Sequence, residues 1–143
     1  MVAEIANEAL LLGHLPQRFL ERSPASMQPR AYGANLYRSM LISTDLRGVN
    51  LTDADLTGTI FLDIDFAGAN LTRACLAHTF FADCRGLHET VGLAEIRHRG
   101  PSYLDVQTLR ASIVLLPDAF LQEVGYRPDE IAALRTIYTT PAR

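Results

Sequence analysis

The chain has 143 residues, a formal net charge of −3 at pH 7, and 48% hydrophobic residues. This length predicts a single domain with appended helices. The slightly acidic charge argues against a nucleic-acid-binding face and against a polybasic membrane surface, and no apolar run approaches the roughly 20 residues that span a bilayer.

The N-terminal residues 1–30 are predicted to form a helical cap followed by a linker. Residues 3–12 place apolar side chains near one face of a short helix. Pro16 suits the first turn of a second helix, and residues 23–30 contain two prolines among small residues. This segment has no basic region followed by a long apolar stretch, so no secretory signal is visible.

A leucine or phenylalanine then recurs at every fifth residue, and a small or β-branched residue precedes each one by two positions. A period of five fits neither an α-helix nor a long strand. Alternate residues of a short extended segment share a face, so these two positions point inward while the others turn the chain. The pattern predicts a solenoid. Its central positions are Leu36, Leu41, Leu46, Leu51, Leu56, Phe61, Phe66, Leu71, Leu76 and Phe81.

At these residues the chain resembles the pentapeptide-repeat family, whose motif reads A-(D/N)-L-x-x. The triplets that begin at Ala34, Ala54 and Ala69 match it most closely. The resemblance implies a right-handed β-helix of square cross-section, with four pentapeptides per coil. The expected fold class is therefore an all-β solenoid of about two and a half coils, over residues 31–86, with N- and C-terminal helical caps.

The repeat is predicted to end near Arg85. The next central position would be Gly86, but the apolar residue arrives one place late, at Leu87. The first and last coils of a solenoid present unpaired backbone edges, which proteins cover or use for pairing. The terminal helical segments are the expected covers.

Residues 87–143 are predicted to be a helical segment. Helices are expected over 102–112, from Pro117 to near Gly125, and from Pro128 onward, because proline and acidic residues favour a first turn. The pattern Leu-Pro-x-x-Phe-Leu occurs at both 15–20 and 116–121. Either each proline opens a helix with an apolar stripe, or the pattern marks a duplicated capping element.

The C-terminal tail also resembles the segment that follows the repeats in some bacterial proteins. In those proteins the repeats precede a Toll/interleukin-receptor (TIR) domain, an immune effector that consumes NAD. The chain stops at Arg143 with no room for such a domain, so we expect a piece of a longer protein or a stand-alone relative. The matching residues are Gly86-Leu87-His88, Arg97-His98-Arg99-Gly100-Pro101-Ser102 and Leu116-Pro117-Asp118-Ala119-Phe120-Leu121.

One outer wall of the predicted solenoid is apolar. With four pentapeptides per coil, residues twenty apart stack, and on three faces the residue before the centre is mostly Asn or Asp. A contiguous apolar patch indicates an interface. It is covered either by the chain's own terminal helix or by a protein partner or second copy. The predicted interface residues are Met40, Ile42, Ile60, Leu62 and Phe80.

Residues suited to catalysis or metal binding are few. Cys75, His78, Cys84 and His88 contain no close Cys-x-x-Cys pair, which argues against zinc. The two cysteines also lack a disulfide-like framework, and reduced thiols in a bacterial cytoplasm are expected. Three aspartates share the position two residues after a centre and are interpreted as solvated corners: Asp53, Asp63 and Asp83.

The Arg97-His98-Arg99 run is interpreted as a helix cap or a contact with the solenoid rim. No phosphate-binding loop, nucleophile elbow or dinucleotide motif is present in the sequence. We therefore expect no enzyme activity and no cofactor.

The favoured hypothesis is a non-catalytic scaffold for protein assembly, which the tail resemblance extends to the assembly module of a TIR effector. The alternative comes from other members of the repeat family, which mimic DNA and bind DNA gyrase. A DNA mimic must match one charge per roughly 1.7 Å of duplex. Here six aspartates of the repeats are offset by four arginines, which disfavours that alternative. An enzyme in its own right is the third and weakest hypothesis.

Overall fold

A computed structural model describes residues 32–139. The predicted N-terminal cap and linker lie outside them. Short 3-10 turns occupy Leu87–Glu89 and Leu93–Glu95. The strands are β1 (Met40–Ile42), β2 (Ile60–Leu62), β3 (Cys75–Leu76), β4 (Phe80–Ala82), β5 (Arg97–His98) and β6 (Tyr103–Leu104). The helices are α1 (Val106–Ser112), α2 (Asp118–Val124) and α3 (Pro128–Thr139).

The chain winds as a β-helix solenoid in which one turn takes twenty residues. Strands β1, β2 and β4 pair in parallel, with Met40 opposite Ile60 and Ile60 opposite Phe80. The other three sides of the turn are held by single parallel bridges twenty residues apart: Asn35 with Asp55, Asp45 with Asp65, and Asn50 with Asn70. This register stacks the central residues in the columns that the five-residue period predicts.

The parallel pairing continues past the end predicted near Arg85, so that prediction placed the end of the solenoid too early. The partners of the last turn are separated by 20, 21, 22 and 23 residues on its four successive sides. Each corner of this turn thus contains one extra residue, and the five-residue pattern disappears although the coil does not. The pairs are Asp65 with Arg85, Asn70 with Val91, Cys75 with Arg97, and Phe80 with Tyr103.

Every regular pentapeptide turns its corner with a left-handed residue, two places after the central Leu or Phe. At three of these ten corners the residue is glycine: Gly48, Gly58 and Gly68. The other seven have φ between 50° and 59°: Arg38, Ser43, Asp53, Asp63, Arg73, His78 and Asp83. None of them is β-branched, as expected at positions where a branched Cβ is most strained.

The interior is closely packed with the central residues, all of which are at most 2% exposed. The rings of Phe61, Phe66 and Phe81 form one cluster, with centroids 5.0 to 5.7 Å apart. The buried hydroxyls of Thr59 and Thr79 donate hydrogen bonds to carbonyl oxygens of the neighbouring turn, at 2.6 and 2.8 Å. Such bonds remove the cost of burying a polar group.

Three helices close the C-terminal end of the described chain. Helix α1 begins at Asp105, whose carboxylate accepts the Thr108 backbone N–H at 2.8 Å as an N-cap. The predicted helix over 102–112 starts later than expected because Tyr103 and Leu104 pair with β4. The helices predicted from Pro117 and Pro128 are present as α2 and α3.

These helices share one apolar core with the solenoid. The helices and the connection between α1 and α2 contribute Leu109, Ile113, Leu116, Phe120, Leu121, Val124 and Ile131 to it. Arg135 of α3 donates to the carbonyl oxygens of Ile113 at 3.2 Å and Leu116 at 2.6 Å, and it also pairs with Asp118. Arg135 thereby ties α3 to the connection between α1 and α2.

Replacing Phe61 by alanine should destabilise the protein by about 3–5 kcal/mol, because the substitution leaves a cavity among three packed rings. A urea titration measures this loss. Phe80→Ala is the matched control, since Phe80 lies on the neighbouring strand but occupies the outward position before the centre and is 44% exposed. Equal losses for the two variants, or a loss under about 1 kcal/mol for Phe61→Ala, would contradict the assigned register.

Replacing Gly92 by alanine should cost about 2–5 kcal/mol, because backbone strain adds to a steric clash. Gly92 has φ +83°, and a Cβ there would lie 2.7 Å from the Cα of Thr72. Gly68→Ala is the control, since Gly68 has a similar φ of +73° but its nearest neighbour, the Gly48 nitrogen, is 3.7 Å away. Urea midpoints that shift equally in the two variants would show that the last turn is not stacked as described.

Candidate interaction surface

On three sides of the solenoid, the polar residue before each centre holds a turn. Its side-chain oxygen accepts the backbone N–H of the residue two places later, at 3.0 to 3.1 Å. This local bond favours Asn and Asp at turns. The residues that form it are Asn35, Asp45, Asn50, Asp55, Asp65 and Asn70. These polar columns are therefore explained by the fold itself.

The fourth side carries the predicted interface residues together on one sheet. We name Met40, Ile42, Ile60, Leu62 and Phe80 the apolar wall. The register places Met40, Ile60 and Phe80 in one column, and Ile42 and Leu62 in the other. Met40 and Phe80 are 43% and 44% exposed, Ile42 and Leu62 are each 39% exposed, and Ile60 is half-buried. No turn-forming role accounts for these side chains.

Tyr103 of β6 extends the apolar wall into the last turn, and the sequence analysis missed it. Its ring stacks on that of Phe80, with centroids 4.6 Å apart and planes 22° from parallel, and Tyr103 is 45% exposed. Tyr103 lies 23 residues after Phe80, so it falls outside the twenty-residue period. A six-residue spacing from Arg85 through Val91 and Arg97 to Tyr103 is the pattern that would have located it.

The described helices do not cover the apolar wall. They pack at the C-terminal end of the solenoid, and four of the five wall residues stay about two-fifths exposed. The N-terminal segment, which the sequence predicts to be helical and which is the other candidate cover in this chain, lies outside residues 32–139. A protein partner or a second copy of the chain is a further candidate to cover this surface.

Charged side chains at two corners of the solenoid are paired with one another. Arg73 donates two hydrogen bonds to Asp53, both at 3.0 Å, and the Arg73 guanidinium lowers the pKa of that carboxyl group. Asp63 accepts a hydrogen bond from the Ser43 hydroxyl at 2.8 Å and another from the Arg85 guanidinium at 2.9 Å. These bonds lower the pKa of Asp63, the bond from Ser43 more than the bond from Arg85. Of the three aspartates predicted to be solvated corners, Asp53 and Asp63 are thus paired with arginine. Asp83 is exposed and forms no ion pair among the described residues.

The residues with metal-ligating side chains do not converge. Cys84 points inward, and burial raises the pKa of its thiol to about 12. The Nδ1 atom of His88 lies 3.0 Å from the Ser112 hydroxyl, while Cys75 and His78 lie at the surface of the preceding turn. Over residues 32–139, no three His, Cys, Asp or Glu side chains are grouped to hold a metal ion.

The Arg97-His98-Arg99 run forms part of the last turn instead of capping a helix. Arg97 and His98 constitute β5, which pairs with Cys75 and Leu76 of β3. Both arginines are exposed, whereas His98 turns inward. Within the described part of the chain, no helix is long and apolar enough to cross a membrane.

Comparison with known proteins supports the repeat fold. A family model described as Pentapeptide repeats matches residues 50–85, with 8 copies, which confirms the resemblance seen at the central residues. No curated protein matches the chain, whereas 14 solved chains do. The matched family is a family of repeats and not a family of enzymes.

One of the matching structures is a trypsin-treated form of QnrB1, a plasmid-mediated fluoroquinolone resistance protein. It shares 20% identity with this chain, at a TM-score of 0.48. The match covers 52% of this chain and 38% of the QnrB1 chain. The resemblance of the tail to a segment before a TIR domain is tested by neither comparison and stays a prediction.

Proposed function

We propose that the protein is a non-catalytic scaffold that binds another protein chain through the apolar wall. The observation that carries this proposal is the contrast between equivalent positions on the four sides. Three sides place turn-forming Asn or Asp before the centre, with Cys75 as the exception. The fourth side stacks Met40, Ile60 and Phe80 there in register, the first and last exposed and the middle one half-buried. Contiguous exposed apolar surface of this kind marks interaction sites.

The geometry of the wall suits a flat, rigid contact. Its two columns rise with the strands at about 4.8 Å per turn, and each residue is fixed by main-chain pairing to the one below. A partner would therefore lose little entropy on the scaffold side, because the side chains are held on a regular sheet. Removal of apolar area from water then contributes roughly 25 cal/mol per Å².

The narrower hypothesis, that the scaffold assembles a TIR effector, rests only on the tail resemblance at residues 86–88, 97–102 and 116–121. In this hypothesis NAD chemistry belongs to a separate domain and self-association of the scaffold brings such domains together. In this hypothesis the apolar wall is the surface through which two copies meet, because a symmetric assembly uses the same patch on both subunits.

In the alternative function, the protein mimics DNA and binds gyrase. The charged corners give little support to this function. A mimic needs unpaired negative charge at the spacing of phosphates. Here Asp45, Asp53 and Asp63 each form an ion pair with an arginine, so the surface field is weak.

The double substitution Ile60→Asp with Leu62→Arg should break the contact made by the apolar wall. If the wall binds a second copy, light scattering should show a larger wild-type species and a folded, monomeric variant. If the chain's own segment covers the wall, the variant should lose stability in a urea titration at unchanged mass.

Thr57→Arg with Ala67→Asp is the matched control, because both residues occupy the position after the centre on other sides. This control should change neither mass nor stability appreciably. If the wild type is monomeric and the wall variant keeps full stability, neither a second copy nor the chain's own segment covers the wall. Binding of a different protein would then be tested directly, and it should be lost in the wall variant.

The purified 143-residue chain should neither hydrolyse NAD nor inhibit DNA supercoiling by gyrase. The reason is that no cluster of metal-ligating side chains is assembled among residues 32–139 and that the corner aspartates Asp53 and Asp63 are paired with arginine. NAD turnover that a point substitution in this chain abolishes would contradict the scaffold proposal. Salt-sensitive inhibition of gyrase would instead favour the alternative.

A further inference from the structure

His98 occupies a position in the solenoid where leucine is otherwise found. It pairs with Leu76 in β3, and the twenty-residue register places Leu76 above Leu56 and Leu36. These three leucines are at most 2% exposed. The last turn therefore places an imidazole at the top of a fully apolar column.

Both ring nitrogens of His98 are shielded from solvent. Among the described residues no protein group lies within hydrogen-bonding distance of either one. Buried polar atoms in folded proteins are paired in the large majority of cases. An unpaired imidazole at this place therefore calls for an explanation beyond packing.

Helix α2 covers the ring of His98. The Phe120 ring meets it nearly edge-on, with centroids 5.6 Å apart and planes 66° from parallel. A cavity of about 230 Å³ lies beside this contact, lined by Leu93, Ala94, Ile96, His98, Ala119, Phe120 and Glu123. A small outward movement of α2 would open this cavity and admit water to the imidazole.

The charged groups around His98 compensate little for its burial. Glu123 of α2 is exposed and acts on the ring through space, while β3 contributes only Cys75 and Leu76. Neighbouring Arg97, Arg99 and Glu95 are all exposed, and Asp118 of α2 is paired with Arg135. Burial lowers the pKa of His98, and Glu123 partly offsets the effect.

We propose that His98 is a pH-sensitive contact that holds α2 against the last turn while the imidazole is neutral, and that acidification releases α2. Protonation places a charge between Leu76 and Phe120, where no acceptor is available. The charged ring gains solvent only when α2 moves away. The release therefore affects the C-terminal helices before the rest of the solenoid.

The sign of the effect follows from the two states of the ring. In the open state the pKa of the imidazole returns to about 6.5, whereas in the closed state it is lower. The contact is therefore fully stabilising above about pH 6.5 and weakens as the pH falls toward the pKa of the closed state. At pH 5 the opening equilibrium should rise by up to about thirty-fold relative to pH 7.5.

Hydrogen exchange of the 143-residue protein tests this inference at pH 7.5 and pH 5, with protection factors corrected for intrinsic rates. Amides of α2 should lose protection at pH 5, by up to about thirty-fold, while amides of β2 change much less. His98→Leu, which continues the leucine column, should remove the α2-specific loss. His78→Asn is the control for an exposed histidine at a left-handed corner, and it should behave as wild type.

Glu123→Gln gives a second, independent test at an exposed position. Removing the carboxylate lowers the pKa of His98 further, so the loss of α2 protection at pH 5 should become larger than in the wild type. The proposal is overturned if wild type and His98→Leu lose equal protection in α2, if β2 loses as much as α2, or if Glu123→Gln reduces the loss.

Discussion

The left-handed backbone at the second residue after each central Leu or Phe determines the shape of the solenoid. It turns the chain at ten successive corners from Arg38 to Asp83, and it fixes how many residues separate one side from the next. Because each side is so short, only two side chains per pentapeptide point inward. Within the regular pentapeptides the interior is consequently limited to a small or β-branched residue and a large apolar one. The buried polar side chains there are threonines, whereas the charged side chains lie on the outside.

The four outer sides differ in the way that each one stabilises its backbone turn. Where Asn35 or Asp55 precedes the centre, the side chain is occupied with a backbone N–H. Along β1, β2 and β4 the main chain is paired over three residues, so the residue before the centre is released from that task. This difference permits an apolar column at Met40, Ile60 and Phe80, and it makes their exposure informative about binding.

Much of this architecture was predictable because the corners recur every five residues, and this period is visible in the sequence. The column that contains Phe61 and the grouping of the wall residues both followed from stacking residues that are twenty positions apart. Two things did not follow. The last turn keeps its pairing while its spacing changes to six, which hides Tyr103 and His98 from any test with a fixed period. The donation from Thr59 to the Leu36 carbonyl also required coordinates, since a β-branched residue fits the interior by size alone.

The extra residue at each corner of the last turn has a consequence for growth of the structure. A turn whose pairs are offset by 21, 22 and 23 residues contains more residues than a regular turn of twenty, so its spacing no longer matches that of a regular pentapeptide turn. Another copy of the solenoid cannot continue the ladder from this end in register. Head-to-tail stacking of copies, a hazard that open ladders of parallel strands otherwise carry, would therefore meet a mismatch in spacing at this end.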